Sequence, residues 1–370
     1  MKLKGQLRFV NKDKNLFYVT LKKRIDAYFV ENNISKHANG TMIVKTIVLL
    51  AAYTVPFVCL LAFQPAYPLS LGLWFVMGLG IAGIGMSIMH DANHGAYSAN
   101  EKINNWIGYS LNLAGGSVVN WKFQHNVLHH TYTNIATHDE DIQDRLILRF
   151  SPHSKLKAVH QLQKLYAFFF YGLLTLYWVV GKDFVQYELF IRTGVNTNTK
   201  AQNALMLARI IGNKLIYFFV LIVTPIWFFN IPVYQVLTGF MLMHFVAGII
   251  LTVVFQLAHT VEGTAHPLAN EKGIIENEWA IHQLQTTVNF SRHSKWISWY
   301  VGGLNFQVEH HLFSKICHVH YPALAPIVKA TAEEFGLKYL ENNTFADALA
   351  SHFRTLERFG RLPALSDAIG

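Results

Sequence analysis

Four apolar runs constrain the fold of this chain more than any other feature of its sequence. They cover residues 46–63, 69–89, 215–229 and 233–258. A helix needs about 20 apolar residues to cross a hydrocarbon core of about 30 Å. Only 14% of the residues are charged, whereas soluble domains carry about a quarter. The sequence therefore predicts an all-α integral membrane protein with four transmembrane helices.

The four runs form two pairs, each joined by a short connector without charge. "QPAYP" separates the first two runs, and "NIP" separates the last two. Connectors this short require each pair to be an antiparallel hairpin. The third run is short for a full crossing, and we expect it to end at the interface near Trp227. Residues 105–119 and 167–180 are too short or too glycine-rich to span, and are predicted to be interfacial helices.

Basic residues flank the runs on one side only. Lys45 precedes the first run, Lys102 follows the second, Lys214 precedes the third and Lys272 follows the fourth, whereas neither hairpin turn contains lysine or arginine. The positive-inside rule then predicts a multi-pass protein with both termini and all long connections in the cytoplasm. The predicted organisation is a cytoplasmic N-terminal arm, a membrane domain holding the functional site under a cytoplasmic helical cap, and a cytoplasmic helical tail. These cover residues 1–43, 44–330 and 331–370.

The net charge and the cysteines narrow the classes of partner and site. The formal charge is +9, but the basic residues flank apolar runs, so we expect attraction to membrane lipid and no nucleic-acid partner. Cys59 lies in an apolar run and Cys317 stands apart from it. Neither a disulfide framework nor a cysteine-based metal site is expected. Any metal must therefore be bound by nitrogen and oxygen atoms.

Two histidine clusters follow the second run. In "HDANH", His90 and His94 are four residues apart and share one face of a helix, so both can bind one metal ion. "HNVLHH" repeats this spacing with His125 and His129 and adds His130 at the next position. Because the spacing is repeated, histidines that merely serve as polar residues at helix ends are a poor explanation for these clusters.

A third cluster and a lone histidine complete the set. "QVEHHLF" places His310 and His311 after Gln307, and the fourth run ends in "FQLAH" with His259. Eight imidazoles from four segments, all predicted at the cytoplasmic edge, suit two first-row metal ions. Imidazole is a ligand for iron, zinc, copper and nickel, and spacing alone does not choose between them. A zinc hydrolase needs only three ligands and an open position.

The three clusters resemble the histidine boxes of the membrane fatty acid desaturases. The leading glutamine of "QVEHH" and the flanking strings "HHTYTNIATHDEDI", "WYVGGLNFQVEHHLF" and "HVHYP" are similar to the front-end branch and to bacterial acyl-CoA or linoleoyl-CoA desaturases. The likeness extends from about residue 9 to 320. It implies a di-iron centre of two Fe ions that uses O2 and two electrons to form a cis double bond in an acyl-CoA or acyl-lipid. The iron ligands it implies are His90, His94, His125, His129, His130, His259, His310 and His311.

The sequence departs from other desaturases at Gln307, where many have histidine. Gln307 could bind iron through its carbonyl, hold a water or lie outside the ligand set. In related enzymes an asparagine one turn before the lone histidine acts through water, but Phe255 has that spacing here. Gln256 and Asn126 are the candidate substitutes.

Several polar residues are candidates for supporting roles around the ligands. Ligand histidines usually donate their second ring N–H to a carboxylate or carbonyl, which Asp91, Glu309, Asp139 and Asp141 could provide. Asp139 and Asp141 fit a solvated loop equally well. Asn126 is a further candidate in this outer set.

Other residues are assigned to the acyl substrate. Candidates for the channel or its mouth are Trp121, Asn289, Trp296 and Trp299, with interfacial anchoring as the alternative for the tryptophans. His244 lies mid-run, where an ionisable residue is a functional candidate. We expect it to be neutral and hydrogen-bonded near the closed end of an acyl tunnel. The basic residues Arg145, Arg149 and Lys155 could meet a phosphate of coenzyme A or of a lipid.

The expected partners follow from the resemblance. The substrate would be a fatty acyl chain carried by coenzyme A or a membrane lipid. The chain lacks the His-Pro-Gly-Gly string of a fused haem module, so the electron donor is expected to be a separate ferredoxin or a b-type cytochrome with its reductase. A bacterial inner membrane is the expected location.

Two other functions remain open at this stage. A membrane di-iron lipid or alkane hydroxylase uses similar histidine boxes. A histidine-rich metal transporter is the alternative from another class, but transporters place their ligands near the bilayer midplane, whereas these clusters follow the ends of the runs.

Overall fold

A computed structural model describes residues 7–11, 16–136, 138–142 and 147–363. Helices make up nearly all regular structure in these residues. The four strands, each of two residues, form two parallel pairs, Arg8–Phe9 with Ile274–Ile275 and Asn289–Phe290 with Glu341–Asn342. The described part divides into two compact units. The histidine unit consists of the described residues within 1–37, 124–167 and 254–370, and the membrane unit consists of residues 38–123 and 168–253.

The four predicted runs are all long helices. Segments that are long and apolar enough to cross a bilayer are Gly40–Phe63, Tyr67–His94, Lys200–Phe228 and Val233–His259. The third run is part of a helix of 29 residues, so it is not short for a crossing as the sequence suggested. The stretch 167–180 lies in a bent pair, Ala158–Gly172 and Leu174–Thr193, which meet at 53° and together could form a fifth span.

Within the membrane unit, each pair of spans is joined by a tight turn, as predicted. Gln64 closes the first helix with a positive φ of 43°, and its side-chain amide donates to the Phe229 carbonyl at the second turn. The first two spans approach closely at Gly80, where an added Cβ would lie 2.9 Å from the Tyr53 nitrogen. Shorter helices of this unit are Glu101–Gly108, Tyr109–Ala114, Val118–Trp121, Leu174–Tyr177 and Asp183–Thr193.

Among the described residues, four helical segments have π geometry, with hydrogen bonds between residues five apart. They are Ile84–Ile88, Lys122–His129, Trp178–Lys182 and Phe219–Phe228. π segments are rare and frequently occur at functional sites. The first directly precedes the first histidine cluster and the second contains most of the second cluster. The last contains Pro225, which has no N–H to continue an α-helical ladder.

Buried polar groups also tie the membrane unit together. The ammonium group of Lys214 lies 2.6 Å from a carboxylate oxygen of Asp183 and donates to the carbonyls of Gly115 and Trp178. Asp183 also accepts from the indole N–H of Trp178. His244 is fully buried, with Nε2 2.9 Å from the Tyr217 hydroxyl and Nδ1 3.2 Å from the Thr175 hydroxyl. This histidine is therefore hydrogen-bonded within the helix bundle.

The core of the histidine unit is built around the N-terminal helix Phe17–Glu31. The apolar residues of this helix recur every four positions and form one stripe. The stripe is buried together with residues of helices Gln307–Leu312 and Tyr321–Glu334. The stripe is Phe17, Leu21, Ile25 and Phe29, and its partners include Val308, Leu312, Leu324 and Val328. The four stripe residues lie within the segment expected to form the cytoplasmic N-terminal arm. The expected boundary at residue 330 falls inside helix Tyr321–Glu334.

The histidine unit also contains several shorter helices and the C-terminal helix. Its short elements near the clusters are His130–Tyr132, Glu140–Ile142, Trp279–Thr286, Lys295–Tyr300, Gln307–Leu312 and His318–His320. Further segments are Ala158–Leu162, Gln163–Gly172, which also extends into the membrane unit, and the C-terminal helix Phe345–Arg361. Helix Val233–His259 contributes residues 254–259.

Arg149 has a structural place in this unit. Its side chain is buried and donates to the carbonyls of Pro152, Ser154, Phe359 and Leu362. The guanidinium therefore joins the loop after the second cluster to the C-terminal helix. This burial removes Arg149 from the basic stretch expected to meet a phosphate. Arg145 lies outside the described residues.

Candidate metal centre

The π-helical register decides which histidines of the second cluster face each other. His125 and His130 are five residues apart, and their Nε2 atoms are 3.2 Å apart. Two nitrogens that each lie about 2.1 Å from one metal ion at right angles are separated by about 3 Å. The sequence predicted a pairing of His125 with His129 by four-residue spacing. Those rings do stack with their centroids 5.2 Å apart, but the π segment also pairs His125 with His130.

His129 forms a buried group with two histidines from other segments. One ring nitrogen each from His129, His259 and His311 lies within 4.8 Å of the others. The Nε2 atoms of His129 and His259 are buried and have no hydrogen-bond partner among the residues that the structure describes. A buried polar atom without a partner is costly and calls for an explanation. A bound cation would satisfy these atoms.

The second ring nitrogen of each histidine in this group contacts an acceptor. His129 Nδ1 lies 3.1 Å from Asp139 Oδ2, His259 Nδ1 lies 3.2 Å from the Thr286 carbonyl oxygen, and His311 Nδ1 lies 2.8 Å from Gln283 Oε1. Carboxylate and carbonyl oxygens only accept, so each Nδ1 carries the hydrogen and each neutral ring keeps its lone pair on Nε2. The Gln283 amide is oriented because its nitrogen donates to the His130 carbonyl. Three lone pairs therefore converge in a buried space.

Asp139 also sets the electrostatics of this group. Burial alone would lower the pKa of His129, but the adjacent Asp139 carboxylate outweighs burial and raises that pKa. The same negative charge favours a metal cation bound to the opposite ring nitrogen.

A second group shares His311 with the first. It contains His130, His310 and His311, whose ligand atoms again lie within 4.8 Å of one another. The ring centroid of His130 lies 4.6 Å from that of His310 and 4.4 Å from that of His311. The Tyr321 hydroxyl lies 3.3 Å from His310 Nδ1. The histidine unit thus brings together six of the eight predicted ligands.

The other two predicted ligands lie in the membrane unit. His90 and His94 are buried on helix Met89–His94, with their ring centroids 4.7 Å apart. Trp121 packs against both, at 5.6 Å from His90 and 5.7 Å from His94. Asp91 is buried on the same helix. Trp121, expected along the substrate channel, therefore lies against the first cluster.

Glu309 and Asn289 form buried hydrogen bonds at the helix that carries the third cluster. The buried carboxylate of Glu309 accepts from the Asn289 amide and from the Tyr339 hydroxyl, each at 2.8 Å. Asn289 Oδ1 accepts from the Val308 backbone N–H. Burial raises the pKa of Glu309 to about 7, against the lowering effect of these two donors. Glu309, expected beside a ligand histidine, thus bonds through its carboxylate to Asn289 and Tyr339. Asn289, expected along the substrate channel, is fully buried.

The remaining candidates occupy varied positions. Asp141 accepts from the Gln124 amide and lies 3.9 Å from His129 Nδ1. Asn126 is half-buried on the π segment, and Gln307 is buried as the first residue of helix Gln307–Leu312. On helix Lys295–Tyr300, Trp296 is 86% exposed and Trp299 is half-buried.

Sequence reasoning missed several residues that orient the ligands. Gln283 and Thr286 lie on helix Trp279–Thr286, and Tyr321 follows the third cluster. Asn134, with a positive φ of 59°, donates from its side chain to the carbonyls of His259 and Ala265. The sequence features that could have indicated these residues are the polar positions of "WAIHQLQT" and the asparagine after "HHTYT".

Replacing Asp139 with asparagine should weaken metal binding by about 10–100-fold, the usual effect of losing an outer partner of a ligand histidine. The change removes the negative charge and allows the amide nitrogen to face His129 Nδ1. Metal retention against a graded series of chelator concentrations measures this. Asp141→Asn is the matched control, because its carboxylate lies 3.9 Å from the same nitrogen and should matter much less. Equal retention by the two variants would contradict the role given to Asp139.

Comparison with known proteins gives a consistent family. The family model described as fatty acid desaturase matches residues 65–343. The sn-1 linoleoyl-lipid 6-desaturase of Synechocystis sp. is 35% identical over 349 residues, which cover 93% of this chain and 96% of that protein. The protein of the same name from Arthrospira platensis is 36% identical over 353 residues, covering 94% and 93%.

A plant relative extends the comparison. The acyl-lipid (8-3)-desaturase of Physcomitrium patens is 33% identical over 365 residues, which cover 96% of this chain and 74% of that protein. The family match includes all three histidine clusters. The chain belongs to the fatty acid desaturase family.

Proposed function

We propose that the protein is an O2-dependent fatty acyl desaturase that holds two iron ions through its eight clustered histidines. The observation that carries this proposal is the convergence of three buried Nε2 lone pairs, from His129, His259 and His311, each fixed by an acceptor at Nδ1. His125, His130 and His310 add nitrogens in the same unit. His90 and His94 join the set because they are paired and occupy the first box of the family pattern.

The donor set fits first-row divalent metal ions. Neutral imidazoles are ligands for iron, zinc, copper and nickel, and family membership favours iron. Iron bound here would supply the oxidising power that breaks an unactivated C–H bond, which acid–base side chains cannot do. The residues of this chain hold and orient the ligands, and the burial of the histidines excludes bulk water.

A supporting role beside the metal ligands is proposed for Gln256, while Gln307 stays the candidate for a ninth ligand. Gln256 lies three residues before His259 on the same helix, and its Oε1 is buried without a hydrogen-bond partner in the described ranges. An amide oxygen in this place could accept from a metal-bound water.

We propose an acyl chain carried by a membrane lipid as the substrate. The relatives named above are called a linoleoyl-lipid and an acyl-lipid desaturase, and the four helices long and apolar enough to cross a bilayer support a substrate held in the membrane. The distribution of basic residues supports a cytoplasmic location for the metal centre and both termini. Electrons would come from a separate ferredoxin or b-type cytochrome. A bacterial inner membrane remains the proposed location.

Expression in a host with few lipid species tests the reaction. Mass spectrometry of the acyl chains should show loss of two hydrogens, and fragmentation should locate one new double bond. Gain of an oxygen atom would instead identify a hydroxylase. Unchanged lipids together with metal transport by the purified protein in liposomes would favour a transporter.

The carrier can be tested in the same host. In a pulse of labelled fatty acid, the new double bond should appear first in intact lipids. Its appearance first in acyl-coenzyme A would contradict the lipid carrier while leaving the desaturase assignment intact.

A further inference from the structure

A cavity of about 350 Å³ lies in the membrane unit, and its lining includes none of the residues assigned to iron. One side is formed by residues 109–119, and the other by the first turns of helix Lys200–Phe218. Its polar lining residues include Arg209, Asn112, Asn198, Gln202 and Asn213. No acidic side chain lines it.

The polar groups of this cavity are available to a ligand. Arg209 is exposed and makes no hydrogen bond or ion pair to any residue for which the structure gives a position. The side-chain amides of Asn112 and Asn198 are also not bonded to other described groups. A guanidinium group is always positively charged, and its planar N–H donors can bind phosphate through two parallel hydrogen bonds.

The depth of the cavity in the membrane indicates what kind of phosphate it would meet. Arg209 precedes the apolar run 215–229 by about 9 Å along the helix axis. If the apolar run is the part that crosses the hydrocarbon core, Arg209 is expected at the level of the lipid headgroups.

Apolar side chains also line the cavity. Val118, Met206 and Ile210 line it. An apolar wall beside a cationic one matches a lipid, whose first methylenes adjoin a polar headgroup. A free phosphate ion would leave this wall unused.

We propose that this cavity binds the phosphate-bearing headgroup of an anionic membrane lipid. Arg209 binds the phosphate, the amides of Asn112 and Asn198 bond to the glycerol or headgroup oxygens, and the first methylenes lie along the apolar wall. This site is separate from the metal centre, and its occupation does not depend on desaturation.

Binding of short-chain phosphatidylglycerol to the full-length protein in detergent tests the proposal. Arg209→Gln should weaken binding on the order of tenfold or more, since a charge-assisted hydrogen bond is lost. Asn198→Asp should weaken it similarly by placing a negative charge beside the phosphate. Lys200→Gln is the matched control, because Lys200 is exposed on the same helix and does not line the cavity.

Three outcomes would overturn the proposal. The first is unchanged binding by Arg209→Gln, and the second is an equal loss in Lys200→Gln, which would indicate general charge attraction. The third is inorganic phosphate binding as tightly as the lipid, which would assign the cavity to the free ion. Since none of these measurements uses catalytic activity, they are independent of the proposed desaturation.

Discussion

Replacing His311 with alanine should reduce desaturation by more than about a hundredfold and remove most of the bound iron. His311 is the only residue shared by the two histidine groups within the described part of the histidine unit. Loss of an outer partner alone typically costs 10–100-fold, and loss of a direct ligand should cost more. Acyl-chain analysis and elemental analysis of the purified variant measure the two effects.

His352→Ala is the matched control for this variant. His352 is fully buried, and its Nδ1 lies 2.7 Å from the Thr260 carbonyl oxygen, which repeats the arrangement of His259 with Thr286. It belongs to neither histidine group. The variant should therefore keep its iron, and any loss of activity should follow loss of folded protein. Normal iron content and activity in His311→Ala would exclude His311 as a ligand.

Replacing Lys214 with methionine should destabilise the protein by about 3–5 kcal/mol, because it leaves the Asp183 charge buried without its partner. The side chains are only 7% and 0% exposed. Lys214 also satisfies the carbonyls of Gly115 and Trp178, so its loss leaves those acceptors unpaired. Thermal unfolding in detergent of the wild type and the variant measures the change.

A double-mutant cycle separates the ion pair from the other contacts. Adding Asp183→Asn to Lys214→Met removes the unpaired charge, so the double variant should be more stable than the sum of the single effects predicts. The exposed pair of Arg354 with Glu262, with side chains 58% and 49% exposed, is the control and should contribute no more than about 1 kcal/mol. Additive effects at Lys214 and Asp183 would contradict the pairing.

The sequence predicted those features of the fold and the site that depend on residues close together in the chain. The four spans follow from apolar length alone, and the pairing of His90 with His94 follows from a regular helical turn. The family likewise follows from short strings of residues that retain their spacing. These signals depend on neighbours in the sequence.

Features that depend on tertiary structure could not be predicted in the same way. The π-helical register of residues 122–129 changes the partner of His125, and nothing in "HNVLHH" distinguishes hydrogen bonding over five residues from bonding over four. Gln283 comes from a segment without metal-ligand spacing. The local sequence around Arg149 suggests an exposed cation. Its guanidinium is instead buried and donates to the carbonyls of Phe359 and Leu362, which are distant in the sequence.

Glu309 illustrates the same limit within a recognised motif. Its position next to His310 suggested a partner for a ligand. The carboxylate faces Asn289 and Tyr339 instead, because a helical neighbour projects about 100° away from the ligand. Adjacency along a helix is therefore weak evidence for contact with the same metal.

Elemental analysis of the purified, active protein tests the central claim most directly. Histidine clusters that hold a di-iron centre predict about two iron ions per chain, with desaturation rising in proportion to iron as the metal-depleted protein is reloaded. Full desaturation by protein that contains no iron would contradict this account.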